Sequence, residues 1–221
     1  MFVAAFVAFV VLYLSGKRAM VPGRSQGFME MVLTLIREKM VLDTMGHEGL
    51  PFFPLIASLF FFVFFCNIVG IFPLGHYGFT ATSNVNVTGT LAVMVFVIVI
   101  ITGIRKKGAL GYLKSFAPHG VPVWLLPLIF PVEVISLFAK HFALAVRLFA
   151  NMFAGHMVIL VFATLTATLL AQKSLLTALL PLPFAGVVVM LIFEIFVALI
   201  QAFIFAILTS LYIGDSLREH H

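Results

Sequence analysis

The chain has 221 residues, of which 63% are hydrophobic and only 10% are charged, and its mean hydropathy is +1.21. A soluble globule of this length cannot bury so much apolar side chain, so the composition excludes a water-soluble domain and indicates an integral membrane protein. The net charge of +5 does not indicate nucleic-acid binding, because the basic residues stand in short segments beside apolar runs. The single cysteine, Cys66, excludes an intrachain disulfide.

Residues 1–15 predict a first membrane span. They are almost entirely apolar and are followed by Lys17, Arg18 and Arg24. At 1.5 Å per residue, the apolar run reaches only about 21 Å of a roughly 30 Å hydrocarbon core, so this helix is short. A cleaved signal peptide is the alternative, but the basic cluster follows the apolar run and no clear small-residue cleavage site is present.

Residues 25–43 predict an amphipathic helix at the membrane interface. Charged and polar residues occupy one side, and apolar residues recur at helical spacing on the other. The apolar positions are Phe28, Met31, Val32, Leu35 and Ile36. Packing against the protein's own loops and docking of a partner are both compatible with this pattern.

Residues 51–104 predict a transmembrane hairpin. The first arm has one strongly polar interior residue, Asn67, and the connection at 73–89 has no Lys or Arg, which places it outside the cell. The return arm starts near Val85 and ends before a basic cluster at 105–107, which belongs inside. Polar residues at the start of this arm, such as Asn84, are interpreted as caps or as the lining of an aqueous vestibule.

Residues 121–213 predict a second hairpin with longer arms. Between residues 132 and 171 there is no proline, and an uninterrupted helix of that length is longer than the hydrocarbon core is thick, which favours a steep tilt. Pro181 and Pro183 then turn the chain back into a last helix. That helix carries two strongly polar residues, Glu194 and Gln201, seven apart and therefore on one face.

The predicted architecture is all-α, a polytopic single membrane domain with about five membrane-embedded helices and one interfacial amphipathic helix. Its last two helices form the long, strongly tilted antiparallel hairpin. Basic residues cluster after the first and third spans, which places the N-terminus outside and the C-terminus in the cytoplasm. No internal repeat and no second soluble domain is evident in the sequence.

Ionisable residues within apolar helices are the candidate functional groups. Glu133, Lys140 and Arg147 are each seven apart, and Asn151 follows Arg147 by four, so these side chains share one side of the helix. An arginine near the bilayer centre costs at least about 2.5–3.5 kcal/mol, so Arg147 must face protein or water. Because a guanidinium keeps its proton, Arg147 acts as a fixed positive charge. Its partner is either Glu194 or a carboxylate on another subunit.

His156 lies nine residues after Arg147, about 180° around the helix, and therefore serves another side. A structural hydrogen bond and a proton relay opposite Glu194 are equally compatible with this position. The sequence has no glycine-rich phosphate loop, nucleophile elbow, HExxH or cysteine-rich metal spacing. The sequence therefore gives no support for catalysis on this chain or for a bound cofactor or metal.

Two stretches carry a resemblance to a known family. Residues 146–156, VRLFANMFAGH, and residues 193–213, FEIFVALIQAFIFAILTSLYI, resemble subunit a of the F-type rotary ATP synthase. Its signature is an Arg-Leu-x-x-Asn run on the penultimate helix and a Gln on the last. The resemblance extends to SNVNVTGTLA and to residues 133–140. It implies that Arg147 faces the proton-carrying carboxylate of the c-ring, with Gln201 across from it and Asn151 one turn away.

The same resemblance implies that His156 and Glu194 line an outer half-channel and that Glu133 lies near a cytoplasmic half-channel. Some family members carry the histidine and the glutamate in swapped positions. The expected partners are the c-ring, the peripheral stalk subunit b, the remainder of ATP synthase, protons and membrane lipid, in a bacterial inner membrane, with the chain itself non-catalytic. Two departures from the family pattern are Ala150, where many bacterial members have Gly, and the short first helix.

Two other classes of protein remain as alternatives. An ion-coupled secondary transporter also places charges near the bilayer midplane, but it needs a substrate site, usually between repeated halves. A purely structural membrane anchor has no reason to retain Arg147 and Glu194 within apolar helices. The coupling ion is expected to be the proton, with Na⁺ as the alternative, because ligands on the ring would set that choice.

Overall fold

The computed structural model describes residues 24–71, 82, 84–116, 123–172 and 178–218. Every regular element within these ranges is helical, which confirms the all-α prediction. The elements in chain order are α1 (Arg24–Leu35), a π-helical segment (Ile36–Leu42), α2 (Asp43–Met45), a 3₁₀ segment (Gly46–Phe52), α3 (Phe53–Ile71), α4 (Val85–Lys114), a 3₁₀ turn (Val123–Leu125), α5 (Leu126–Gln172) and α6 (Pro181–Leu217).

Within the described ranges, four helical stretches are long and apolar enough to cross a membrane. They are Gln26–Ile71, Val85–Leu113, Leu126–Ala171 and Pro181–Leu217. These stretches confirm a polytopic membrane protein. The predicted first span at residues 1–15 lies outside the described residues, so the count of five stays a prediction.

The helix predicted at 25–43 is present, but its apolar side is divided. Phe28 and Met31 are 63% and 60% exposed, whereas Ile36 and Met40 are fully buried. The buried residues lie in the π-helical segment, which packs against α3 and α6. The second half of this helix is therefore part of the bundle, and its first half keeps an exposed apolar surface.

Polar contacts fasten α2 and the π-helical segment to the end of α6. The Ser210 hydroxyl donates to the Met40 carbonyl oxygen, and the Thr44 hydroxyl lies 2.5 Å from Ser210 Oγ. The Arg218 guanidinium donates to the Thr44 carbonyl oxygen at 3.1 Å. A Cβ at Gly214 would lie 2.9 Å from that same oxygen, so a glycine permits this close approach.

Helix α4 begins at Val85, as the sequence predicts. The Asn84 side chain caps it by accepting a hydrogen bond from the Asn86 backbone N–H at 2.9 Å, which confirms the capping interpretation. The helical conformation continues beyond residue 104 to Lys114, with one break at Gly108, where φ is 73°. Glycine adopts such a positive φ without steric cost.

Helix α5 is continuous for 47 residues and includes Pro131 in its second turn. Its length is therefore about 70 Å, more than twice a roughly 30 Å hydrocarbon core. Neither Pro127 nor Pro131 interrupts this helix. The steep tilt relative to the membrane stays a prediction that this length supports.

Helices α5 and α6 pack as antiparallel neighbours. Asn151 contacts Gln201 and His156 contacts Glu194, so residue numbers rise on one helix as they fall on the other. On α6 the small residues Ala198, Ala202 and Ala206 are fully buried, together with Phe205. Small side chains let helix backbones approach closely in a membrane, so α6 occupies the centre of the bundle and contacts α3, α4 and α5.

We expect Ser210→Ala to destabilise the fold. The change removes one of two hydroxyl donors to the Met40 carbonyl oxygen, since the Thr44 hydroxyl still donates to it, and one buried hydrogen bond contributes about 0.5–1.5 kcal/mol. The free energy of unfolding in detergent should fall by that amount in chemical denaturation followed by circular dichroism. Ser58→Ala is the control, because exposed Ser58 bonds, among the described residues, within its own helix to the Pro54 carbonyl. Equal losses in both variants would contradict the role of Ser210.

Candidate functional site

The candidate site is built on the side of α5 that packs into the bundle. Leu144, Leu148 and Met152 form its buried stripe and are at most 1% exposed. At about 100° per residue, Arg147 and Asn151 lie on one flank of this stripe and His156 lies on the other. The structure thus keeps Arg147 and His156 on different sides of the helix, as their spacing predicts.

Arg147 is exposed on the surface of α5. Among the described residues, its guanidinium has no hydrogen bond and no salt bridge. The hypothesis of an ion pair with Glu194 is wrong, because the Glu194 carboxylate contacts His156 instead. The positive charge of Arg147 is therefore open to a partner that approaches α5 from outside the bundle.

Asn151 and Gln201 form a polar contact between α5 and α6. The Asn151 side-chain amide donates to Gln201 Oε1 at 3.0 Å. Gln201 is only 1% exposed, and within the described residues its Nε2 atom is buried without a hydrogen-bond partner. This contact lies one helical turn from Arg147, so three residues singled out by the sequence share one region.

His156 joins three helices through its two ring nitrogens. Nδ1 lies 2.9 Å from Glu194 Oε1 on α6, and Nε2 lies 3.1 Å from the Gly70 carbonyl oxygen on α3. Glu194 is 2% exposed, and His156 is partly buried. The predicted pair is therefore in direct contact at the centre of the α3–α5–α6 packing.

The partners of His156 restrict where its protons sit. A carbonyl oxygen only accepts, so Nε2 must carry a hydrogen and donate to Gly70. The remaining proton lies between Nδ1 and Glu194 Oε1, which gives either an imidazolium facing a carboxylate or a neutral imidazole facing a carboxylic acid. Both arrangements have zero net charge, so the proton can change owner without adding charge to a low-dielectric site. The pair is suited to receive and pass on one proton.

Glu194 has a second oxygen that extends this chemistry. Its Oε2 is buried and has no hydrogen-bond partner among the described residues. A carboxylate bonded to His156 through one oxygen can therefore accept or release a proton through the other. Oε2 is thus a second atom through which the pair can exchange a proton, and the sequence alone did not indicate it.

Gly155 makes room for the Glu194 carboxylate. A Cβ on Gly155 would lie 2.8 Å from Glu194 Oε1, closer than such contacts are found. The glycine therefore allows the carboxylate of α6 to reach the backbone of α5 beside His156. Sequence reasoning missed this role, because the only signal was a glycine within a helix, where it usually costs stability.

Asn67 is a further buried polar residue near the pair. It is fully buried on α3, three residues before Gly70, and its Oδ1 accepts from the Thr82 hydroxyl at 2.6 Å. Its side-chain nitrogen has no partner among the described residues. The sequence showed Asn67 only as one polar residue in an apolar arm, whereas the structure places it about one turn from the His156 contact.

Glu133 lies in a different place from the other predicted residues. It lines a cavity of about 340 Å³ between the ends of α4 and α6 and the beginning of α5, which we call the three-helix cavity. Along α5, Glu133 precedes Arg147 by fourteen residues, or about 21 Å. The structure does not bring Glu133 into contact with Arg147. In the part of the chain that the structure describes, no three His, Cys, Asp or Glu side chains are grouped as a metal site.

Comparisons with known proteins agree on one family. The sequence model described as ATP synthase A chain matches residues 1–214. The chain is 44% identical over 203 residues to ATP synthase subunit a of Parvibaculum lavamentivorans, covering 92% of this chain and 76% of that protein. It is 43% identical over 220 residues to the subunit of Rhodopseudomonas palustris, covering 99% of this chain and 86% of that protein. It is 43% identical over 216 residues to ATP synthase subunit a of Mesorhizobium japonicum, covering 97% of this chain and 84% of that protein.

We expect Gly155→Ala to displace the Glu194 carboxylate, because the added methyl group would lie 2.8 Å from Oε1. The His156–Glu194 hydrogen bond should weaken, and the infrared carboxyl band of Glu194 should shift in frequency. The band is assigned by its disappearance in Glu194→Gln. Gly89→Ala is the control, because a Cβ at Gly89 has no atom within 4 Å. A band unchanged in Gly155→Ala would show that Gly155 does not position the carboxylate.

Proposed function

The chain belongs to the ATP synthase A chain family, and from this premise we propose that it is the stationary proton path of a rotary ATP synthase. The proposal assigns it two aqueous half-channels that deliver protons to, and remove them from, carboxylates on a ring of c subunits. The contact that carries the proposal is the His156–Glu194 pair between α5 and α6, on the same helix α5 as Arg147, which has no ionic partner among the described residues.

The outer half-channel is assigned to the His156–Glu194 pair. Its shared proton and its neutral total charge suit it to accept a proton from the outside water. Glu194 Oε2, which has no hydrogen-bond partner among the described residues, can then pass a proton on toward the ring. The hydrogen-bonded side chains of Asn67 and Thr82 are buried polar groups between the pair and the connection that joins α3 to α4. The absence of Lys and Arg from residues 73–89 supports placing that connection outside.

Arg147 is assigned the role of a barrier between the two half-channels. Its exposed guanidinium attracts a ring carboxylate in the ionised form and so favours loss of the carried proton. Because the guanidinium cannot release its own proton, it does not conduct protons between the two paths. Each proton that moves down 100 mV releases about 2.3 kcal/mol, which is available to turn the ring.

Gln201 and Asn151 are assigned to hold the surface beside Arg147. Their hydrogen bond ties α5 to α6 one turn from the guanidinium, and Gln201 is buried behind Asn151. A fixed helix surface keeps the arginine at a constant distance from passing carboxylates. These two residues act through position, since neither amide titrates.

The cytoplasmic half-channel is assigned to the three-helix cavity that Glu133 lines. The basic cluster at 105–107 and the end of α6 lie at this end of the bundle, which supports a cytoplasmic location for the C-terminus. With residues 1–15 as the predicted first span, the N-terminus is assigned to the outside. The cavity volume of about 340 Å³ is room for several water molecules at about 30 Å³ each. Water there can carry protons away from the rotor.

The assembly partners follow from the same proposal. The exposed side of α5 meets the c-ring, and the exposed apolar residues of α1, including Phe28 and Met31, suit contact with lipid or with the peripheral stalk subunit b. The chain has the role of a non-catalytic channel subunit, because ATP chemistry belongs to the attached head. Family membership does not favour the secondary transporter that the sequence left as an alternative.

We expect Arg147→Ala to abolish ATP-driven acidification in inverted membrane vesicles, because ring carboxylates would lose the charge that ionises them. Acidification is followed with a pH-sensitive dye. Arg37→Ala is the matched control, since Arg37 is an exposed arginine on the π-helical segment, away from α5. Normal acidification in Arg147→Ala would refute the assignment of this residue.

A second experiment tests the pair. We expect His156→Glu and Glu194→His each to reduce acidification strongly, because one leaves two carboxyl groups in contact and the other leaves two imidazoles. The double variant restores one group of each kind and should recover part of the activity, with a coupling energy of about 0.5–3 kcal/mol. Additive losses in the double variant would count against a shared proton. Co-purification of the ring shows that each variant assembles.

A further inference from the structure

The three-helix cavity has a histidine in its wall that the proposed function has not used. His141 lies on α5, one residue after Lys140, and is 4% exposed. Its ring lies between Phe96 of α4 and Tyr212 of α6, with ring centroids 5.1 Å away in both cases. All three helices that enclose the cavity therefore hold this imidazole in place.

The backbone determines which nitrogen of His141 carries the proton. Nδ1 lies 2.8 Å from the Leu137 carbonyl oxygen, one turn earlier on α5. A carbonyl oxygen only accepts, so Nδ1 is the donor, and in the neutral ring Nε2 holds the lone pair. Nε2 is buried and has no hydrogen-bond partner among the described residues. The structure thus presents a proton-accepting atom with a fixed orientation.

The position of His141 along α5 is between the two groups that the proposed function connects. It follows Glu133 by eight residues, about 12 Å, and precedes Arg147 by six, about 9 Å. Tyr212, which touches the His141 ring, also lines the three-helix cavity. The 21 Å between Glu133 and Arg147 is too long for one hydrogen-bonded transfer, and His141 divides it into stretches of about 12 Å and 9 Å that water must bridge.

We propose that His141 is a proton-carrying residue of the cytoplasmic path, in addition to Glu133. Through bridging water, its Nε2 accepts the proton that a ring carboxyl group loses when its O–H bond breaks opposite Arg147. The new N–H bond then breaks to return that proton to water in the three-helix cavity. The Nδ1–H bond to Leu137 stays intact, so the ring passes from neutral to imidazolium and back. This inference depends on the proposed function, because it assigns a residue to the same path.

The charged and titratable groups of the cavity are balanced in a way that suits a temporary proton. The carboxylates of Glu133 and Asp215 favour the imidazolium, whereas the cations around the cavity oppose it. The cations and remaining titratable groups are Lys107 and Tyr112 from α4, Lys140 from α5, Tyr212 from α6 and Arg218 directly after α6. With both signs present, an imidazolium can form and is not trapped by one strong counter-ion.

His141→Gln tests the proposal in the assembled complex. In inverted vesicles the cytoplasmic side faces the medium, so the medium pH sets the cavity pH. We expect ATP-driven acidification in His141→Gln to fall about tenfold, less than the loss typical for removing a sole acid–base group, because Glu133 and water remain. His47→Gln is the control, since His47 is exposed on the 3₁₀ segment before α3.

The pH profile separates proton transfer from packing. The catalytic head is the same in both variants, so the ratio of His141→Gln to His47→Gln reports the path alone. We expect this ratio to change between about pH 5 and 8, where histidines titrate. A ratio that is lowered equally at every pH would assign His141 a packing role and overturn the proposal.

Chemical rescue provides the second variant. His141→Ala leaves space beside the cavity, and added imidazole should restore part of the acidification. Pyrazole has the same ring size but is not protonated near neutral pH, and it should not restore activity. Equal rescue by both rings, or absence of both His141 variants from assembled complexes, would overturn the proposal. Loss of activity in Arg147→Ala with normal activity in His141→Gln would reject this inference and leave the proposed function standing.

Discussion

The antiparallel packing of α5 against α6 is the constraint on which the site depends. Asn151 faces Gln201 and His156 faces Glu194 in one continuous register. Each residue of a helix is rotated by about 100° from the next, so a slip of one residue would turn Glu194 away from the imidazole. Buried alanines on α6 and the missing side chain of Gly155 let the two backbones come close enough for these contacts. Packing by small residues therefore determines whether the His156–Glu194 contact can form.

Properties that depend on local sequence could be predicted from it. Hydropathy and the 3.6-residue period were sufficient for the helices, the continuous α5 and the opposite placement of Arg147 and His156. The residue type of Asn84 indicated a cap as one of two interpretations, and the structure shows that cap. Contacts between helices were not accessible in this way. The partner of Glu194 is set by the distance between two helices, which no spacing along one helix contains, and the ion pair considered with Arg147 was wrong for that reason.

His141 shows a second limit of reading a sequence. Along α5 it stands beside Lys140, and the sequence does not distinguish the two side chains, yet His141 is buried and Lys140 is exposed. Its tautomer is set by the carbonyl of Leu137, and its neighbours come from α4 and α6. A cavity bounded by three helices exists only after the chain has folded, so the chemistry of its wall is a tertiary property.

The two kinds of charge in this bundle follow opposite rules. His156 and Glu194 neutralise each other, so a buried pair can persist in a low-dielectric interior and still exchange a proton. Arg147 has no such compensation within the described residues, and a lone guanidinium in lipid is unfavourable by several kcal/mol. That cost is relieved whenever a carboxylate from outside the bundle stands opposite it. A rotor that presents one carboxylate after another would relieve it repeatedly, which makes the open charge of Arg147 a source of attraction at a moving interface. In the proposed function, the neutral pair supplies protons without competing for that attraction.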